Sequence, residues 1–352
     1  MSSSDDEYSW REEVKRQMER LVQTPRASAR TLQQHFDPLS SPYRLGDRWI
    51  PDRDLDGKGA AFAVSLATAV QNVQEALDRL ERSHLSLEQC PATLAAMALN
   101  LGVFLWSDRL PVYAVAFDAR RVFTHEEVYR IATSLVTHYD AVHLVNELGA
   151  LALYGSNYEA HCGTAAFAVH SATATALAVA IRKAMWTVAL RIPQLSALNN
   201  QPSVGMGPLL YAVQVLSLHQ RNSPMPTARL LGIPGITMPA DLVCYANVLF
   251  TKLLVPDADV MAPLSGIAAG VICSVTLNLL GAAKALVAGR AGLSRGSSEL
   301  AGRRTRHHSS TRGMGWNLTR LALHAACFGA TLYVSALVDK SQRSRRSFLR
   351  LR

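Results

Sequence analysis

The chain has 352 residues, 49% of them apolar, with 36 Lys and Arg against 27 Asp and Glu for a net charge of +9. That length allows one large domain or two ordinary ones, and that apolar share can build a sizeable core. The five cysteines (Cys90, Cys162, Cys244, Cys273 and Cys327) are odd in number, far apart and without a C-x-x-C pair, which argues against a disulfide framework or a zinc site and for reduced, buried thiols.

The charge is unevenly placed. Residues 1–160 hold 22 acids and 16 bases, a balance of −6, and residues 161–352 hold 5 acids and 20 bases, a balance of +15. An anionic polymer or an anionic membrane surface would therefore meet the second half.

The opening MSSSDDEYSW is acidic and polar. It has neither the layout of a secretory signal nor the Arg-rich character of a transit peptide. Ser9 and Glu12 then form a capping box. Trp10, Val14, Met18 and Leu21 follow on one helical stripe, and Pro25 ends the helix. A greasy helix followed by a linker suits exchange between subunits, so these four residues are the expected oligomerisation contacts. Docking on the chain's own core is the alternative. Residues 24–57 are rich in Pro, Asp, Arg and Ser and read as the linker.

Leu66, Val70, Val73, Leu77 and Leu80 mark the clearest helix, at spacings of 4 and 3. A further helix is expected over Ala92–Trp106, broken near Asp108 and Pro111. Thr124 and Glu127 form a second capping box, and Val128, Ile131, Leu135, Val142, Leu144 and Leu148 carry on the helical rhythm. Residues 161–200 are rich in Ala and Thr and contain the basic pair Arg182–Lys183. Eight prolines between 200 and 263 predict short helices and turns. No strand alternation and no repeat is visible. The expected fold is all-α: a multi-helix body with an N-terminal amphipathic arm and a basic, disordered C-terminal tail. The expected divisions are 1–57 (arm and linker), 58–160 (acidic helical subdomain), 161–288 (apolar helical subdomain) and 289–352 (basic loop, apolar helix and Arg-rich tail).

Motifs that could carry chemistry are weak. DRDLDG at 52–57 resembles the start of a calcium loop, but position 12 of that loop is Ala63 rather than Glu. His143 and Glu147 lie one helical turn apart, near His138 and Asp140, yet no third ligand follows at motif spacing. They read as ordinary polar residues of a partly exposed helix. The chain lacks G-x-x-x-x-G-K-[ST], G-x-G-x-x-G and G-x-S-x-G. The expectation is therefore no enzyme, no cofactor and no metal. GMGP at 205–208 reads as a turn.

Two uncharged runs are long enough to span a membrane, Met261–Ala283 with 23 residues and Leu321–Val338 with 18. Cys162–Ile181 is a weaker third candidate. Gly266 and Gly270 form a G-x-x-x-G in the first run, which suits close helix packing. Against a two-span hairpin, the loop 284–320 and the tail 339–352 would lie on opposite sides, and both are strongly basic. Asn278 and His324 would be costly in lipid unless paired. Arginines in Ser- and Gly-rich segments suit phosphate instead, and Phe348 could stack on a base.

FDARRV at 117–122, the Ala-rich run TAAFAVHSATATALAVAIRKAMW and QPSVGMGP at 201–208 resemble, in order, segments of phlebovirus-type nucleocapsid proteins. The resemblance implies an all-helical, RNA-coating nucleoprotein with an N-terminal exchange arm, and it places Arg120 and Arg121 near the core or groove. The expected function is therefore a self-assembling, RNA-binding viral coat protein in the virion and host cytoplasm. Its phosphate contacts would be Arg120, Arg121, Arg182, Lys183, Arg303, Arg304, Arg306, Arg345 and Arg346, and its partners single-stranded RNA and further copies of itself. The alternative is a protein of an intracellular membrane, anchored by 261–283, by 321–338 or by both, with a cytosolic helical first half.

Overall fold

The computed structural model describes residues 89–106, 112–192, 195, 198, 202–219, 227–229, 237–254, 258–295 and 318–350. The fold is all-α. The one sheet among the described residues is an antiparallel ribbon of Thr227–Arg229 (β1) and Thr237–Pro239 (β2). The chain forms two compact units: residues 1–160, 201–207 and 231–234 in the first, and residues 161–200, 208–230 and 235–352 in the second.

The first unit contains α1 (Pro91–Trp106), α2 (Val112–Val115), α3 (Ala119–Thr124), α4 (Tyr129–Val136), α5 (Ala141–Ala150), a π-helical turn at Leu151–Gly155, and most of α6 (Ser156–Cys162). Buried charges organise it by satisfying main-chain groups. Glu159 accepts the amides of Ala92 at 3.0 Å and Thr93 at 2.8 Å, so its carboxylate covers the positive end of α1. Arg130, 2% exposed, donates to the carbonyls of Tyr113 and Ala116 at 2.8 and 2.9 Å and pairs with Glu127. It thereby fixes the segment after α2, where an uncompensated guanidinium would be prohibitively costly.

The helix expected after a Thr124–Glu127 capping box starts elsewhere. Asp118 is the N-cap of α3, accepting the amides of Arg120 and Arg121. Thr124 is the last residue of that helix. Glu126 has a φ of 56°, which breaks the chain direction, and α4 begins at Tyr129. Glu127 cannot cap, because its carboxylate is taken by Arg130 and Tyr129.

The second unit contains α7 (Thr164–Arg191), α8 (Gly207–Leu218, from Pro208 onward), the ribbon, α9 (Ala240–Leu254), α10 (Met261–Arg295) and α11 (Leu318–Arg350). α7 packs along α10, and α9 along α11. The G-x-x-x-G run lets α10 press against α8. A Cβ built on Gly266 would lie 2.3 Å from the Pro208 carbonyl oxygen, and one on Gly270 2.8 Å from that of Ala212. Two ion pairs are buried among these helices: Arg182 with Asp259 at 2.6 Å and Lys252 with Asp339 at 2.7 Å. The basic tail continues α11 as helix to Arg350 rather than leaving it at Val338.

Three helices of this unit are long and apolar enough to cross a membrane: Thr164–Arg191, Met261–Ala283 and Leu318–Ser341. Only 22 to 39% of each apolar window is buried. Val169, Ile272, Leu279, Leu280 and Tyr333 are exposed along them. A water-soluble chain rarely leaves so much aliphatic surface uncovered. The expectation that these runs bury themselves against protein is therefore wrong for a large share of their surface. The two polar residues that would be costly in lipid have partners: Asn278 donates to Ser274 O at 2.8 Å, and His324 Nδ1 meets the Tyr245 hydroxyl at 3.1 Å. The basic flanks remain, but charge bias orients a membrane protein and does not decide whether a chain is one.

Candidate functional site

The first unit converges on Glu147, in the second turn of α5. Asp140 caps that helix by accepting the His143 amide at 2.7 Å. His143 and Glu147 then fall one turn apart on one face. Glu147 is 5% exposed, so it is not the ordinary surface residue its sequence context predicts.

Three groups compensate the carboxylate. The His138 ring, at Nε2, lies 2.9 Å from Oε2, and His143 Nε2 lies 3.3 Å from Oε1. The Met206 amide donates to Oε2 at 2.7 Å. Burial alone would raise the Glu147 pKa, but the adjacent His143, with His138, outweighs it and brings it down to about 2. Burial works against the charge of His143, and the neighbouring Glu147 and Asp140 outweigh that and raise its pKa.

The same carboxylate ties down the segment 202–206, just ahead of α8. Ser203 and Phe117 exchange main-chain hydrogen bonds at 2.8 and 2.9 Å. The Gly205 amide donates to Ser134 O at 2.8 Å, and the Tyr139 hydroxyl to Pro202 O at 3.0 Å. Gly205 adopts a φ of +101°, and a Cβ there would sit 2.7 Å from the His143 ring and 2.8 Å from Glu147 Oε2. Only glycine fits. GMGP is thus more than a turn: it brings the chain against a buried histidine–carboxylate cluster. Tyr139 stacks on His143 at 6.0 Å, and the His138 and His143 rings lie 5.2 Å apart. The Nδ1 atoms of His138 and His143 are buried without a hydrogen-bond partner among the described residues. Polar capacity therefore remains beside the locked segment.

The described residues among those expected to bind phosphate lie on three helices, α3, α7 and α11. Arg120 and Arg121 are exposed on α3, and Arg121 lies 3.8 Å from Glu127. Arg182 is buried and paired with Asp259, and Lys183 is exposed on α7. Arg345 and Arg346 lie on the last turns of α11. Arg303, Arg304 and Arg306 lie outside the described residues, as do Trp10, Val14, Met18, Leu21, the DRDLDG segment and the Leu66–Leu80 stripe. The Glu147 cluster is visible in sequence only as HYDAVHLVNE. Its partner segment lies 59 positions further on, so no local spacing could announce the contact.

A helical membrane protein is what the exposed apolar faces of these long helices define. The comparisons with known proteins agree. The Rhomboid domain family matches residues 125–279, a stretch that runs from just before α4 through the G-x-x-x-G of α10. Rhomboid-like protein 14, mitochondrial, of Arabidopsis thaliana is 24% identical over 188 residues, 52% of this chain and 54% of that protein. The chain thus spans about half the length of the curated relative it matches. No solved structure matches.

These matches overturn several expectations. The resemblance of FDARRV to nucleocapsid proteins does not hold: that stretch is the Asp118-capped start of α3, and the similarity that covers long parts of the chain is to rhomboids. With it fall RNA and further copies of this chain as partners, the coat-protein function, and the virion and host cytoplasm as location. The membrane alternative is the reading that stands. The expectation of no enzyme is overturned as well, because rhomboid family members are typically intramembrane serine proteases, although some homologues are inactive. Missing nucleophile-elbow and phosphate-loop motifs say nothing about a reaction carried out between membrane helices.

Proposed function

We propose that this chain is a rhomboid-type protein of an intracellular membrane that acts on membrane-spanning segments of other proteins. One observation carries the reading: the Rhomboid match covers both the Glu147-locked segment and the close α8–α10 packing. Exposed aliphatic residues on α7 and α10, such as Val169 and Leu279, supply faces that another helix can cover within lipid. A protease must hold a span before it cuts it, so span binding is the step that any such function requires.

Hydrolysis is the reaction class that the match brings with it. It needs a serine hydroxyl activated by a base. Ser134, Ser156 and Ser265 each give their hydroxyl to a main-chain carbonyl, of Ile131, Ala152 and Ala262, which speaks against any of the three as nucleophile.

The test uses the full chain in lipid nanodiscs with a panel of single-span reporter peptides, each carrying a photo-crosslinker at mid-membrane. The expected result is saturable crosslinking that maps to the exposed faces of α7 or α10. Absence of saturable crosslinking with every peptide overturns the proposal. The same samples read cleavage as release of a soluble fragment, and a fluorophosphonate probe followed by peptide mapping names any reactive serine.

A further inference from the structure

In the second unit, His219 follows α8, Asp241 lies in the first turn of α9, and His324 lies in the second turn of α11. Their side chains meet although 22 and 83 positions separate them along the chain. His219 Nε2 lies 2.5 Å from Asp241 Oδ1, and His324 Nε2 lies 3.5 Å from the same oxygen. All three potential ligand atoms fall within 4.8 Å of one another. His219 is 7% exposed and His324 5%.

The far side of each imidazole is already held. His219 Nδ1 lies 2.7 Å from the Val215 carbonyl, which can only accept, so that nitrogen carries a proton. His324 Nδ1 meets the Tyr245 hydroxyl at 3.1 Å. Anchoring at Nδ1 turns both Nε2 atoms toward Asp241. This is the outer-shell arrangement that orients metal-ligating histidines, with a carbonyl or a hydroxyl behind each ring. We propose that His219, Asp241 and His324 bind a divalent transition-metal ion of the zinc class.

The geometry needs little adjustment. Two bonds of about 2 Å meeting at a tetrahedral centre place their ligand atoms about 3.3 Å apart. The His324–Asp241 edge is at that spacing, and the His219–Asp241 edge opens by under about 1 Å. On Oδ1 the ion must displace one contact of Arg320. Arg320 donates to Asp241 Oδ2 through Nε at 3.2 Å and to Oδ1 through Nη2 at 2.6 Å. The Oδ2 contact lets Arg320 keep the carboxylate oriented while Oδ1 turns to the ion. Two imidazoles and one carboxylate suit zinc, copper or iron and disfavour calcium and magnesium.

The test takes full-length, tag-free protein in nanodiscs, stripped with chelator and equilibrated with zinc chloride. One zinc per chain is expected. His219→Ala, His324→Ala and Asp241→Asn should each weaken binding by more than about 100-fold, and Tyr245→Phe by about 10- to 100-fold. His170→Ala should leave it unchanged. On the unmutated protein, zinc X-ray absorption should show two imidazole nitrogens in the first shell, a readout that does not depend on any variant folding. No stoichiometric ion overturns the proposal, as does zinc retained by His219→Ala and His324→Ala, zinc lost with His170→Ala, or a shell without two imidazoles.

Discussion

Glu147 Oε2 accepts the Met206 amide at 2.7 Å, so one carboxylate on α5 holds the segment that ends in Met206. Removing it strands two imidazoles and an amide in a buried place. Glu147→Ala should lower stability by about 3–5 kcal/mol, as expected when one partner of a buried charge pair is lost. Glu147→Gln keeps an acceptor for the Met206 amide and should cost less. Thermal unfolding in nanodiscs measures the difference, and hydrogen exchange at residues 203–206 should accelerate in both variants, more in the alanine one.

The same cluster predicts a pH dependence. The Glu147 pKa falls from its ordinary 4.5 to about 2, so its contribution is complete above about 4.5 and is lost as pH falls through 2. The His143 pKa is raised above its ordinary 6.5, so its contribution is complete below 6.5 and fades as pH rises through the higher folded value. Protection of the 203–206 amides should therefore peak between about pH 4.5 and 6.5 and decline on both sides. Glu147→Gln should flatten both limbs. A profile unchanged by that substitution would show that the cluster does not govern the segment.

Glycine substitutions separate close packing from open space. Gly266→Ala puts a methyl group against the Pro208 carbonyl, and Gly205→Ala adds one against His143 and Glu147 at a φ of +101°. Each should destabilise by at least about 2 kcal/mol. Gly102 in α1 has nothing within 4 Å of the position a Cβ would take, so Gly102→Ala should be neutral or stabilise by up to about 1 kcal/mol. Melting temperatures in one detergent should set the first two variants below the unaltered chain and the third at or above it.

The buried pair Lys252–Asp339 makes a sharper test of charge burial. Lys252 is fully buried and also donates to the Ala258 carbonyl at 3.1 Å. Lys252→Met leaves the Asp339 charge uncompensated and should cost about 3–5 kcal/mol, whereas Lys252→Met with Asp339→Leu should recover most of the loss. A double-mutant cycle on unfolding free energy reads the coupling. Failure of the double variant to recover would mean that the Ala258 contact, not the ion pair, matters.

Helical character is readable wherever one short window carries it. The helix expected over Ala92–Trp106 is α1, Pro91–Trp106, because an apolar run between a proline and a polar break leaves few choices. The Gly266/Gly270 spacing also announces the close packing that α8 and α10 show. Long-range pairs are not readable. Arg182 looks like a phosphate ligand because Asp259, its partner, lies 77 positions away. Glu147 looks solvated because Gly205 and Met206 reach it from beyond α7. The membrane is misjudged for a different reason. Hydropathy puts both long runs near the threshold for a span, and an even spread of arginines is no test of whether a chain enters the membrane.

The long apolar helices leave most of their span windows uncovered by protein, with Leu279 66% and Tyr333 64% exposed. Moving a fully exposed leucine-sized side chain from water into hydrocarbon gains about 1.5–3 kcal/mol. A few such residues on each of three helices outweigh anything that peripheral electrostatic attachment supplies at physiological salt. Expressed protein should therefore float with membranes after an alkaline carbonate wash and after high salt, and leave them only with detergent. Leu279→Arg together with Leu280→Arg places two charges in the last turns of the span Met261–Ala283, each at a cost below the about 2.5–3.5 kcal/mol of a charge at the centre of a span. That variant should lose part of its wash resistance, while the same pair of changes at the already polar Glu126 and His125 should not. Release of the unaltered chain by the wash alone would mean that its apolar faces are covered by protein after all.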